Sequence, residues 1–173
     1  IPFDVKLVQM VQLLRGGEPV KMSKRAGTFV TLADVVEEVG KDVVRFTMLT
    51  RKPDAQMDFD FAKVVEASKD NPVFYVQYAH ARTRNVARLA GEDGVSRDDG
   101  FDPSLLTHET ESVLLAALGD FPRVVAQAAT LREPHRVARY LESLAASFHK
   151  WYDECRVRPI HADDEVVGDL ILA

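Results

Sequence analysis

The sequence predicts a mainly α fold, in which a small mixed α/β part precedes an antiparallel helical bundle. Two observations carry that prediction. Up to Asp70, short β-branched runs alternate with turns, whereas beyond it long stretches repeat apolar residues at three- and four-residue steps. The basic residues change at the same place: seven Lys and four Arg precede the cut, and one Lys, Lys150, and ten Arg follow it. The predicted organisation is therefore two domains, 1–70 and 71–173. At 173 residues, 46% hydrophobic and 28% charged, the chain is long enough to bury a real core as a soluble globular polypeptide.

In the first part, Lys6 to Leu14 suits a strand or a short buried segment ending at Gly16-Gly17, and periodicity alone does not separate the two. Thr31-Leu32-Ala33-Asp34 reads as a capping-box-like helix start, with Gly40 as the stop of a short helix over about Val35 to Val39. Asp42 to Leu49, mostly apolar, predicts a second, buried helix that ends before Pro53-Asp54. Asp58-Phe59-Asp60-Phe61 alternates as a short extended segment does, ahead of a helix carrying Val64, Val65 and Ala67. This stretch is the predicted seam.

Asn71-Pro72 is a strong helix start, with Asn as cap and Pro at the first helical position, and nothing breaks the pattern before Gly91. Gly91 to Pro103, rich in Gly and acids, predicts an exposed loop. Three more helices follow, over roughly Thr107 to Leu118, Pro122 to Leu131 and Pro134 to Cys155. In the last, Val137, Tyr140, Leu141, Leu144, Phe148, Trp151, Tyr152 and Cys155 form one apolar and aromatic stripe, which is a core face. Asp163-Asp164-Glu165 opens a further helix that the sequence cuts off at Ala173, and the chain reads as a fragment of a longer one.

Several classes are excluded. No run approaches the roughly 18 consecutive apolar residues of a membrane span, and Ile1-Pro2-Phe3-Asp4 begins neither a signal nor a transit peptide. The single cysteine, Cys155, forms no internal disulfide and continues the apolar stripe; no Cys/His cluster has zinc spacing, so no metal site is expected. A reducing, cytoplasmic compartment fits best; a monomer is expected, although nothing in the sequence fixes the oligomeric state. The formal charge of −5 argues against a general nucleic-acid coat but leaves room for a local basic site. His108, His135, His149 and His161 have no catalytic spacing and read as structural or solvated.

The most distinctive loop runs from Gly16-Gly17 through Lys21-Met22-Ser23-Lys24-Arg25 to Thr28-Phe29, with three cations in five residues between glycines. Glycines give freedom, Lys gives a compact charge on a flexible stem and Ser23 and Thr28 give hydroxyls, a combination suited to closing over a polyphosphate. A solvated basic turn is the competing reading of a bare Lys-x-x-Lys.

These residues resemble a known family. Lys21 to Arg25 looks like the KMSKS signature of class I aminoacyl-tRNA synthetases, with Arg25 in place of the final Ser. Glu37 to Phe46 is similar to the segment that follows that signature, and Asp58 to Phe61 with Asp70 to Arg82 looks like arginyl-tRNA synthetase at the entrance to its helical anticodon-binding domain. Tyr140-Leu141 through Phe148, Trp151 and Tyr152 resemble a later helix of that domain.

The resemblance implies an enzyme that activates arginine with ATP and magnesium and transfers it to an arginine-accepting tRNA. It implies that 1–70 is the end of a catalytic domain and 71–173 an anticodon-binding domain, incomplete at its end. Lys21, Met22, Ser23 and Lys24 are then the ATP-binding set, with Lys24 stabilising the pyrophosphate leaving group, Lys21 assisting and Ser23 positioning the loop. The HIGH signature, the nucleotide-binding core and the arginine pocket have no match here, so the isolated polypeptide is expected to be inactive, with no cofactor bound.

The helix from Asn71 to Ala90 has no Asp or Glu and is the best tRNA-facing element. Gln77, His80, Arg84 and Arg88 fall on one side at 100° per residue, and Tyr75, Tyr78, Arg82, Val86 and Leu89 on another. The polar side suits phosphates, the aromatic side suits packing or base stacking, and Arg84 and Arg88 are favoured over Tyr75 and Tyr78, which read first as core residues. Two other readings are a non-catalytic helical RNA-binding module and a related class I synthetase such as the cysteinyl enzyme.

Overall fold

The computed structural model describes residues 3, 5–23, 25, 27–96, 100 and 102–157. Lys24 and the expected final helix from Asp163 lie outside the described residues. Two compact units divide the chain: the first takes it up to Phe74 together with Gln127–Arg139, the second takes Tyr75–Ala126 and the chain from Tyr140 onward.

The first unit is built on a three-stranded sheet. β1 (Val11–Arg15) turns through Gly16 and Gly17 into β2 (Glu18–Pro19), with Leu14 opposite Pro19 and Arg15 opposite Glu18. Both glycines have positive φ, 60° and 88°, the backbone that a two-residue hairpin turn requires. β3 (Met57–Asp60) lies parallel on the other side of β1, Val11 against Met57 through Leu14 against Asp60. Of the expected Lys6–Leu14 segment, only the end pairs. Leu7 and Met10 are more than four-fifths exposed, because the parallel register begins at Val11.

Between β2 and β3 stand α1 (Leu32–Val39) and α2 (Lys41–Leu49). Thr31 and Asp34 form the reciprocal cap read from the sequence: Asp34 N–H donates to Thr31 Oγ1 (3.1 Å) and Thr31 N–H to Asp34 Oδ2 (2.7 Å). The two helices send Val35, Val39, Val43 and Val44 into a core with Met57, Phe59, Phe61 and Val73. Phe59 is fully buried and meets Phe61 edge to face at 5.5 Å.

α3 is shorter than expected. It covers Phe61–Val64, leaving Val65 and Ala67 outside. The Asn71 side-chain amide explains the stop: it donates to the Val64 and Glu66 carbonyls at 3.0 and 2.9 Å, so the chain bends around it instead of continuing the helix. The same side chain caps α4 (Pro72–Glu92), its Oδ1 accepting from Val73 N–H at 3.1 Å. In the unit's second segment, Lys6 Nζ donates to the carbonyl of Arg132, just past α6 (Phe121–Leu131).

The second unit is helical. α4, α5 (Glu109–Gly119) and α7 (His135–Glu154) contribute a core of Ala79, Leu114, Ala145, Phe148 and Trp151, closed by Cys155. Trp151 is 2% exposed, so the aromatic stripe is a core face as the sequence predicts. α5 starts two residues later than expected because His108, not the residue before it, is the cap: its N–H donates to Glu111 Oε2 at 2.9 Å and its ring accepts from Thr110 N–H. Glu109–Leu131, taken across α5 and α6, has the length and composition of a membrane span at a mean hydropathy of 1.2, although Gly119-Asp120 interrupts any continuous apolar run.

Candidate functional site

Two sets of residues singled out in the sequence lie in different units. In the first unit, β2 leads from Pro19 into Val20, whose N–H returns to the Leu13 carbonyl at 2.9 Å, and then into Lys21, Met22 and Ser23, all exposed. Ser23 and Thr28 face each other as a one-pair antiparallel bridge, each N–H donating to the other's carbonyl at N···O distances of 2.7 and 3.0 Å, so the loop leaves and returns at a fixed width. Gly27, with φ of 69°, turns it back. Arg25, in the position where the signature carries Ser, is exposed.

The base of this loop is better built than the sequence suggested. Asp60, 3% exposed, takes Gly16 N–H on Oδ1 (3.0 Å), Gly17 N–H on Oδ2 (2.7 Å) and Ala62 N–H on Oδ1 (3.0 Å). Burial works against its charge, yet the amides of Gly17, Ala62, Gly16 and Lys63 outweigh it and hold the carboxyl below the ordinary aspartate range. Arg15 adds a second brace, bidentate to Glu38 at 2.6 and 2.9 Å with its guanidinium 4.8 Å from the Phe61 ring centre. Neither Asp60 nor Arg15 was singled out from sequence. Asp60 carries a local signal, an acid between an alternating strand and a helix start, while its glycine partners are 43 and 44 residues away.

In the second unit, α4 presents Gln77, His80, Arg84 and Arg88 as one exposed face, as its periodicity predicts. Arg88 is held along the helix, donating to Asn85 Oδ1 at 3.0 Å and pairing with Glu92 one turn on. Arg84 has no such partner among the described residues and stands as an open cation.

The other side of α4 differs from its expectation. Tyr75 is partly buried, but Tyr78 is 53% exposed and is not a core residue. The reason is His149 of α7, which takes the buried place: it stacks on Tyr78 at 5.3 Å and leans on Tyr75 at 4.7 Å, leaving the Tyr78 ring at the surface. Arg82 lies 4.6 Å from the ring centres of both Tyr78 and Tyr152, with Nη1 3.2 Å from His149 Nδ1 and 3.5 Å from Asp153 Oδ1. Arginine has no acceptor, so His149 Nδ1 accepts and the ring is neutral. Burial lowers the His149 pKa first, and the Arg82 charge lowers it further, against the Tyr75 backbone and Asp153, which raise it. The same unit holds an apolar cleft of about 320 Å3 lined by Val76, Ala79, Leu114, Leu144, Phe148 and Trp151 among others. Among the described residues no group of three or more His, Cys, Asp or Glu could hold a metal ion.

Residues 76–170 match the DALR anticodon binding domain family. The chain is 65% identical over 163 residues to an arginine–tRNA ligase of Novosphingobium aromaticivorans, covering 91% of this chain and 27% of that protein. It is 59% identical over 166 residues to one of Kineococcus radiotolerans, covering 96% and 30%. Among solved structures, one described as an arginyl-tRNA synthetase of Campylobacter jejuni superposes with a TM-score of 0.74 at 34% identity, covering 96% of this chain and 34% of that one. The arginyl-tRNA synthetase of Thermus thermophilus gives 0.64 at 29% identity, covering 82% and 26%. The chain thus spans less than a third of the length of these curated relatives. With more than half of its residues inside the matched segment, the chain belongs to the DALR anticodon binding domain family.

Proposed function

We propose that this chain is part of an arginine–tRNA ligase, which activates arginine with ATP and transfers it to its tRNA. Residues 1–70 are the end of the catalytic domain and residues 71–173 the anticodon-binding domain. The observation that carries the reading is the 65% identity to such a ligase over a stretch that includes both the Lys21 loop and α4. In this reading Lys21, Met22, Ser23 and Lys24 meet the ATP phosphates, and Lys24 and Lys21 stabilise the charge that develops on departing pyrophosphate. One preorganised donor of this kind lowers a barrier by about 3 to 4 kcal/mol. Magnesium bound to the triphosphate would supply further charge neutralisation beside Lys21 and Lys24.

Arg84 and Arg88 contact tRNA phosphates, with Gln77 beside them, while Tyr75, Tyr78 and Arg82 offer a stacking surface to unpaired bases. The exposed Tyr78 ring supports the stacking role, and the open position of Arg84 supports the phosphate role. The Glu92 pairing of Arg88 ranks it second. The chain by itself is inactive, because the groups that position arginine and the adenosine are outside it. The parent works in the cytoplasm as a monomer.

The test is ATP-dependent arginylation of tRNA by the full-length protein containing this chain, with Lys21→Ala beside the unaltered protein. Arginine incorporation that falls about 100-fold or more in the variant is expected. Absence of arginylation by the unaltered protein, or an unchanged rate for Lys21→Ala, contradicts the reading in whole or at that residue.

A further inference from the structure

We propose that Asp60 is a positioning residue for the Lys21 loop, acting through the amides of Gly16 and Gly17; this deepens the functional reading above and rests on it. Successive backbone amides in a turn of positive-φ residues converge into a small anion-binding concavity. In this hairpin the anion is supplied from within the chain. Asp60 closes the parallel ladder opposite Leu14, and from there each of its oxygens takes one turn amide, Oδ1 from Gly16 and Oδ2 from Gly17. The third amide, Ala62, ties the same carboxylate to the start of α3.

The consequence for the loop follows from chain distance. Only Glu18, Pro19 and Val20 separate Gly17 from Lys21, and all three are constrained, two as β2 and the third by its bond to Leu13. A turn free to rotate about its glycines would transmit that rotation directly to Lys21. Only a carboxylate can serve both turn amides and Ala62 at once, since an isosteric amide keeps one acceptor oxygen and sets its NH2 against an N–H. The hydrophobic support beneath is made by other atoms: Phe59 and Phe61 flank Asp60 in sequence and meet each other edge to face.

The experiment uses the full-length protein containing this chain, with Asp60→Asn, Lys21→Ala, the two combined, and Asp58→Asn as a control on an exposed site of the same strand. In ATP-dependent arginylation, Asp60→Asn is expected to lower kcat at least tenfold while the KM for arginine stays within twofold, and Asp58→Asn to stay within twofold throughout. The double variant is expected to lose much less than the product of the two single losses, which a general weakening of the fold would not produce. Amide exchange in the unaltered protein adds an arm that needs no variant to fold: the exposed Gly16 and Gly17 amides are expected to be protected. Arginylation with Asp60→Asn equal to the control, fully multiplicative losses, or unprotected glycine amides overturns this inference alone. A protein without arginylation activity overturns the functional reading and this inference with it.

Discussion

At the base of the Lys21 loop a buried carboxylate gathers backbone amides, whereas on α4 an arginine is gathered by side-chain rings. The first arrangement fixes where the chain goes, because its bonds end on Gly16, Gly17 and Ala62 main-chain atoms. The second fixes where one side chain lies and leaves the helix backbone untouched, since Arg82 meets Tyr78, Tyr152 and His149 through π faces and one hydrogen bond. A loop with no helical ladder of its own needs main-chain anchoring; a helix already has it, and its side chains are free for other contacts. Substitutions in the two places should therefore fail differently.

The largest stability effects should come from the two cores rather than from either site. Phe59→Ala and Trp151→Ala remove fully or nearly fully buried rings and should each cost about 3 to 5 kcal/mol in urea unfolding. A loss below about 1 kcal/mol for either would show that its core is not as packed as described. Arg82→Ala should cost about 1 to 2 kcal/mol, from two cation–π contacts on a partly buried guanidinium, and Arg82→Lys should recover little of it because an ammonium cannot stack between rings. Full rescue by lysine would assign the effect to charge alone.

A pH titration separates the regions further. Burial first of all puts the folded pKa values of His149 and His135 below the ordinary histidine value. A depressed histidine pKa means that the unfolded chain binds the proton more readily, so stability is full above about pH 6.5 and declines as pH falls toward the folded values. Asp60 acts in a lower window: its depressed carboxyl pKa gives stability that is present above about pH 4 and lost as pH falls through the folded value. His149→Gln should flatten the upper slope and leave the lower one; an unchanged upper slope would show that His149 does not contribute to it. The smallest effect expected is at Thr31→Ala, about 1 kcal/mol for the loss of one cap, read from the urea midpoint.

What the sequence revealed follows the same line. The Thr31 cap, the Gly16-Gly17 turn, the Asn71-Pro72 helix start and the stripe through Trp151 are local patterns, and each stands where local chemistry requires it. Asp60 with Gly16 and Arg82 with His149 are joined across 44 and 67 residues, and no periodicity reports such pairs. The early end of α3 has the same origin, since Asn71 draws the Val64 carbonyl from seven residues ahead. Tyr78 departs from the core position its spacing predicts, because spacing identifies a face of a helix but not which neighbour fills the space in front of it.

The most direct test of the central claim is binding of this chain to an arginine-accepting tRNA and to a tRNA of another identity across a salt series. Tighter binding to the arginine tRNA is expected, with an affinity that falls linearly in log–log form with salt and a slope reduced by about 1 in Arg84→Ala. Equal binding to both tRNAs, with a slope that Arg84→Ala leaves unchanged, would contradict the assignment of tRNA recognition to α4.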